Sequence, residues 1–362
     1  MDNNLWLLGS SVFILAASCY LLFITSDPLE TVGGRIGKLL KLPEDVIAST
    51  FQAMATSGPE IVMAIIAATP FITSEVWSTL QLGEKACSGT LNMAFSAMDN
   101  LLGIGAVAMI FMIRMGKVNK DDPIPVKPST YVGLISYIIA SGSLSVFIRD
   151  GILTVNESWI LMTIGGLFVL CQFVIPNAIK DNDDDEEEED DGCDCVPELT
   201  ADPMGWTKDF GKSIAIYAFL VFALVVFVRE CLGSTFNMAL TGYFSVGGIL
   251  IMFTSYVSSF PEFMMSYRYV IADKKAALLG MLFGSNVIDL AFAGFRSIWL
   301  SEEMKVYTTG RFPELLPVYI WLLPTIAFLL LIGLRTQFLK WKHSYPLVVF
   351  YACYIVSGFV LL

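Results

Sequence analysis

Apolar residues along this chain come in long unbroken runs rather than in the alternating or every-third-position patterns of a soluble fold. Crossing roughly 30 Å of hydrocarbon takes about 20 largely apolar residues. Ten windows of that kind are present, near residues 5–24, 46–70, 90–113, 130–148, 158–176, 213–232, 243–268, 276–299, 315–333 and 346–362. The pattern predicts an all-α membrane protein of ten transmembrane helices. Only helices satisfy their own backbone hydrogen bonds segment by segment in lipid.

Composition agrees with that reading. Of 362 residues, 55% are hydrophobic and 15% charged, more apolar surface than a soluble domain of this size can hide. The first window follows Met1-Asp2-Asn3-Asn4, without a basic residue, and is too long for the core of a cleaved signal, so it is expected to remain as a span. The seven cysteines are scattered, with only Cys193 and Cys195 close together. They make no disulfide framework and no zinc spacing.

Basic residues set the orientation. Sixteen of the 22 Lys and Arg fall in loops that follow odd-numbered spans, Arg114, Lys117, Lys120 and Lys127 among them. The six after even-numbered spans are Lys85, Arg149, Arg229, Arg296, Lys305 and Arg311. The excess belongs in the cytosol, which puts both termini on the non-cytosolic side. The acidic run from Asp181 to Asp191 then lies in a cytosolic loop, where its mutual repulsion makes it a solvated linker. It holds most of the net charge of −12, so overall acidity implies nothing about nucleic acid, which is not expected as a partner. The chain divides into a first five-helix unit over 1–180, an acidic linker over 181–209 and a second five-helix unit over 210–362.

The two units echo each other. Ala55-Thr56-Ser57-Gly58-Pro59-Glu60 in the second window matches Val257-Ser258-Ser259-Phe260-Pro261-Glu262 in the seventh. In the spans that follow, Ser96 and Asn100 are four apart, as are Ser285 and Asp289. Matching helices separated by five spans, an odd number, lie upside down relative to one another. Such inverted repeats share a site at the bilayer midplane.

The residue types point to a hard cation. Positions three and four apart share a helix face, so Thr56, Ser57 and Glu60 line one stripe and Ser258, Ser259 and Glu262 another. Pro59 and Pro261 carry no amide hydrogen, which would free the carbonyls of Ala55 and Val257. Ser96, Asn100, Ser285 and Asp289 add further oxygens. A donor set of oxygen alone suits Ca²⁺ or Na⁺ rather than zinc or copper, and the sole histidine, His343, falls in a loop. An ionised carboxylate at the bilayer centre costs about 3 kcal/mol or more. With Glu60, Glu262 and Asp289 together, the site is expected to change faces only when cations neutralise it.

At these residues the chain resembles the cation/calcium exchanger superfamily, and within it the sodium/calcium exchangers, whose two repeats read approximately Gly-Thr-Ser-x-Pro-Glu and Gly-Asn-x-x-Gly-Ser-Asn-x-x-Asn or Asp. The first repeat here keeps Thr56, Ser57, Pro59, Glu60, Asn92, Ser96 and Asn100; the second keeps Ser258, Ser259, Pro261, Glu262, Gly280, Gly284, Ser285, Asn286 and Asp289. The resemblance implies that Glu60 and Glu262 share a central Ca²⁺ with Na⁺, that Thr56, Ser57, Ser96, Ser258, Ser259 and Ser285 supply sodium ligands, and that Asn100 and Asp289 complete the centre. No cofactor is implied. Departures are Ala55, Leu91, Phe95 and Val257 at family glycines, and Ala97 and Met281 at family asparagines. Asp99 is a further one, about 100° around the helix from Asn100, and reads as a helix-interface or water-facing group rather than a ligand.

These observations predict a Na⁺/Ca²⁺ antiporter, not an enzyme, in the plasma membrane in preference to an organellar one. The alternatives are proton-coupled calcium transport and a non-transporting, exchanger-like subunit of a larger membrane complex.

Overall fold

The computed structural model describes residues 42–58, 60–61, 90, 93–180, 255–306 and 312–361, with isolated positions before 42 and between 211 and 219. The expected spans at 5–24 and 213–232, the start of the seventh, and the acidic linker lie outside the described residues.

Helix α1 (Glu44–Ile47) runs into a π-helical segment (Ala48–Gln52) and then α2 (Ala53–Thr56). The next span, α3 (Met93–Arg114), also contains a π-helical segment, Asp99–Ile104. Helix α4 (Pro128–Phe147) opens on a proline, whose missing N–H is free of cost in a first turn. After Asp150 the chain turns through Gly151, at φ 79°, and enters α5 (Val155–Lys180).

From residue 255 onward the described helices are α6 (Ser255–Ser258), α7 (Phe260–Ile271), α8 (Lys275–Phe292), α9 (Phe295–Leu300), α10 (Phe312–Arg335) and α11 (Ser344–Leu361). Among the described residues, five helices are long and apolar enough to cross a membrane: Met93–Arg114, Pro128–Asp150, Val155–Val174, Lys275–Leu300 and Val318–Arg335. All five coincide with expected spans. Among the described residues the fold is helical but for two short pairings: strands β1 (Ile152–Leu153) and β2 (Met304–Lys305) run antiparallel, and Pro123 bridges Lys340.

Helix α8 is the spine of the molecule. Its apolar window is 89% buried, against 28% for that of α5, so α8 is sheathed by protein while α5 forms an outer wall. Leu167, Leu170 and Val174 on α5, and Val318, Phe328 and Leu329 on α10, are exposed apolar side chains of the kind that face acyl chains. Glycine lets α8 lie backbone to backbone against the π-helical segment that follows α1, because a Cβ on Gly284 would stand 2.1 Å from the Ser49 carbonyl oxygen. Outside the apolar layer, Lys274 pairs with Glu44, and Lys342 Nζ meets Asp121 Oδ1 at 2.7 Å.

Candidate functional site

The two motif segments bend alike. Ser57 lies at φ −74°, ψ 1° and Ser259 at φ −80°, ψ 7°, both well off the helical ψ near −42°. The backbone bonds around them also correspond. Ser57 N donates to Ala53 O at 3.0 Å and Ile61 N to Ser57 O at 3.0 Å; Ser259 N donates to Ser255 O at 2.9 Å and Phe263 N to Ser259 O at 3.1 Å. Thr56 and Ser258 return their hydroxyls three residues back, to Ala53 O at 3.1 Å and Ser255 O at 2.9 Å. A single off-helix ψ at each serine turns the next residues, and with them the glutamate, toward the facing helix.

Across that bend the hydroxyls pair between units. Ser57 Oγ lies 2.7 Å from Ser285 Oγ on α8, and Ser259 Oγ lies 2.6 Å from Ser96 Oγ on α3. Each facing serine then reaches a glutamate. Ser96 donates to Glu60 Oε1 at 3.0 Å and Ser285 to Glu262 Oε1 at 2.8 Å. Asp289 Oδ2 stands 3.5 Å from the same Ser96 hydroxyl, and Asn100 Nδ2 donates to Ser285 Oγ at 3.4 Å. Ser258 bears on the Glu60 carboxylate and Thr56 on that of Glu262. Thr56, Ser57, Glu60, Ser96, Asn100, Ser258, Ser259, Glu262, Ser285 and Asp289 are all fully buried.

Oxygens in this cluster outnumber the hydrogens available to them. Each serine hydroxyl has one hydrogen, yet three oxygens surround that of Ser96. Glu60 Oε2, Glu262 Oε2, Asp289 Oδ1 and Asn100 Oδ1 are buried with no hydrogen-bond partner among the described residues. No Lys, Arg or His is buried among those residues, so among the described residues no protein cation answers the three acidic groups. Buried acceptors left in this way cost about 1–3 kcal/mol each, more if charged, and a bound cation is the direct remedy. Among the described residues no three acidic, His or Cys side chains converge on one metal-sized point. The carboxylates instead surround a set of paired hydroxyls, an arrangement that could offer an ion one or two carboxylates together with neutral oxygens.

The remaining expected residues fare differently. Ala55 is buried in α2, two residues before the bend at Ser57. Val257 falls within α6, and Pro261 sits buried in the first turn of α7. Pro59 and Asn92 lie outside the described residues.

Two neighbours of the cluster, Ser255 and Tyr137, were not singled out from the sequence, and Asn286 was marked only as a kept motif residue. Ser255 donates to Asp99 Oδ2 at 2.6 Å; its place four residues before Ser259, on the motif face, was the available signal. Asn286 is fully buried with neither side-chain polar atom partnered among the described residues. Tyr137 on α4 is buried, its hydroxyl without a partner among those residues and within electrostatic range of Asp289. Nothing local marks Tyr137, which belongs to no repeat. Asp99 itself is an interface group: besides Ser255 it accepts from Tyr351 OH of α11 at 2.9 Å.

A family model described as sodium/calcium exchanger protein matches residues 10–174. The fold is shared with solved structures of the sodium-calcium exchanger NCX_Mj. With that protein soaked in 2.5 mM Na⁺ and 1 mM Sr²⁺, the TM-score is 0.64 at 17% identity, over 96% of this chain and 98% of the other. In zero Na⁺ and Ca²⁺ it is 0.62 at 17% identity, over 96% and 97%. A search of curated proteins gives no match. Residues 10–174 thus match the sodium/calcium exchanger family model, and the chain, with five described helices long and apolar enough to cross a membrane, has the fold of a sodium-calcium exchanger.

Proposed function

We propose that the protein is a secondary active antiporter that carries Ca²⁺ across a membrane in exchange for Na⁺. The observation that carries this reading is the set of buried oxygens on Glu60, Glu262, Asp289 and Asn100 that lack partners among the described residues, in an interior with no buried basic residue among those described. Glu60 and Glu262 hold Ca²⁺, with Asp289 and Asn100 beside it. The hydroxyls of Thr56, Ser57, Ser96, Ser258, Ser259 and Ser285, with the carbonyls of Ala55 and Val257, hold Na⁺ when it displaces the divalent ion. Abundant hydroxyls beside each glutamate favour Na⁺ over protons as the coupling ion, since a proton needs only the carboxylate.

Ten spans as two inverted five-helix repeats, over 1–180 and 210–362 and joined by the acidic segment 181–209, complete the reading. Matched bends at Ser57 and Ser259 and the crossed serine pairs support it. Both termini face away from the cytosol, and the plasma membrane is the favoured location. An empty site with three carboxylates resists reorientation, which makes the transport obligatory exchange rather than leak.

The test is uptake into vesicles. Purified protein reconstituted in liposomes should accumulate radioactive Ca²⁺ down an outward Na⁺ gradient and not down a proton gradient alone. Uptake driven by protons would assign proton coupling. No uptake by folded protein would assign a structural subunit of a membrane complex.

A further inference from the structure

Asp99 belongs to no family motif, yet it is as buried as the glutamates. It sits at the start of the π-helical segment of α3, one residue before Asn100. Both its oxygens are taken by hydroxyl donors from other helices: Ser255 Oγ at 2.6 Å on Oδ2 and Tyr351 OH at 2.9 Å on Oδ1. The Tyr351 ring is itself fixed over the same segment, since a Cβ on Gly103 would stand 2.8 Å from its Cε1. Three helices, α3, α6 and α11, therefore meet at one carboxyl group.

Ser255 is the useful partner. While its hydroxyl donates to Asp99, its carbonyl accepts the Ser258 hydroxyl at 2.9 Å and the Ser259 amide at 2.9 Å. The rotamer of Ser258 and the bend at Ser259 thus hang on a residue that Asp99 holds in place. The equivalent positions in the other half are Ala53 and Ile288, both buried and apolar. There the Thr56 hydroxyl leans on a carbonyl whose residue has no polar tether.

We propose that Asp99 is a positioning residue for the ion-binding hydroxyls of Ser258 and Ser259, acting through Ser255 and braced by Tyr351. This role rests on the exchange reading above. Groups one step removed from a bound ion orient its ligands, and losing one typically weakens binding about 10–100-fold. Because the groups it aims are hydroxyls, its loss falls harder on Na⁺ than on Ca²⁺.

The experiment is equilibrium binding of radioactive Ca²⁺ to the purified full chain, with Na⁺ as competitor and thermal melting measured alongside. In Asp99→Ala and Ser255→Ala, the Na⁺ concentration that displaces half of the Ca²⁺ should rise about tenfold or more, with a smaller change in Ca²⁺ half-saturation. Ser255→Thr, which keeps the hydroxyl, should behave as wild type. The double variant should be no worse than either single change, because one chain of bonds is cut in each. If Asp99→Ala does not fold, Ser255→Ala carries the test alone. Na⁺ displacement unmoved by Ser255→Ala, or both ions weakened in step with a fall in melting temperature, overturns the proposal while leaving the exchange reading intact. Wild-type protein that binds no Ca²⁺ refutes that reading and this one together.

Discussion

The half of the site built by α2 and α3 and the half built by α6, α7 and α8 share their chemistry and differ in their packing. Each has a serine at the bend, a serine across from it and a glutamate behind that, with hydroxyl separations of 2.7 and 2.6 Å. Yet α3 carries a π-helical segment over Asp99–Ile104, whereas α8 is regular from Lys275 to Phe292. Gly280 and Gly284 let α8 touch the backbone of Asp45 and Ser49; the matching positions in the sequence of the first repeat are Leu91 and Phe95. The half built by α6, α7 and α8 thus has both the close backbone contact of its glycines and the polar tether that Asp99 makes to Ser255, and the half built by α2 and α3 has an apolar Ala53 where Ser255 stands. The proposed ligands vary less: Ser57, Glu60 and Ser96 are matched by Ser259, Glu262 and Ser285.

The largest expected effect comes from the shared part. Glu60→Gln or Glu262→Gln should abolish Na⁺-driven Ca²⁺ uptake, beyond the roughly 100-fold that loss of a group one step from an ion can cost. Equal losses in the two variants would show that the halves contribute alike; a marked inequality would break the comparison. Next is the packing difference. Gly284→Leu puts a side chain where even a Cβ lies 2.1 Å from the Ser49 carbonyl oxygen, and should destabilise the fold by about 3 kcal/mol, read as a fall in melting temperature or in folded yield.

Asp289→Asn makes the second half resemble the first, which has Asn100 at that position. Uptake should fall by less than in either glutamate variant, and a loss as complete as theirs would make Asp289 an equal partner in binding. Tyr351→Phe removes one of the two donors to Asp99 and leaves a buried oxygen bare, at about 1–3 kcal/mol of stability, again seen in thermal melting. The smallest effect belongs to Asp121, far from the site. Lys342 donates to this exposed carboxyl and holds it below the usual carboxylate range. Such a group stabilises the fold above its ordinary pKa and loses that contribution as pH falls through the folded value. Asp121→Asn should lower the melting temperature slightly at neutral pH, not at all in strong acid, and leave Ca²⁺ uptake unchanged.

The glutamates were legible because proline, hydroxyls and acid recur at matched places, and chance seldom repeats a pattern in two apolar windows. Gly280 and Gly284 were marked only by the family resemblance, since Leu91 and Phe95 stand at their places in the first repeat. The tether was not: Ser255 and Tyr351 stand 156 and 252 residues from Asp99 in the chain, and a serine or tyrosine inside an apolar run announces no partner. The π-helical segments left no trace either, since a helix buried on every side has no polar face whose shift would betray an extra residue in a turn. Asp99 could be flagged as unusual from its burial within a span, but its direction around a helix was readable only on the assumption of regular geometry.

Everything depends on whether the buried ring of hydroxyls and carboxylates takes up cations. Calorimetric titration of the purified protein with Ca²⁺ tests this without any need for transport. The account predicts saturable binding that Na⁺ displaces and that disappears in both Glu60→Gln and Glu262→Gln. Folded wild-type protein that takes up no Ca²⁺, or binding that survives both substitutions, would contradict it.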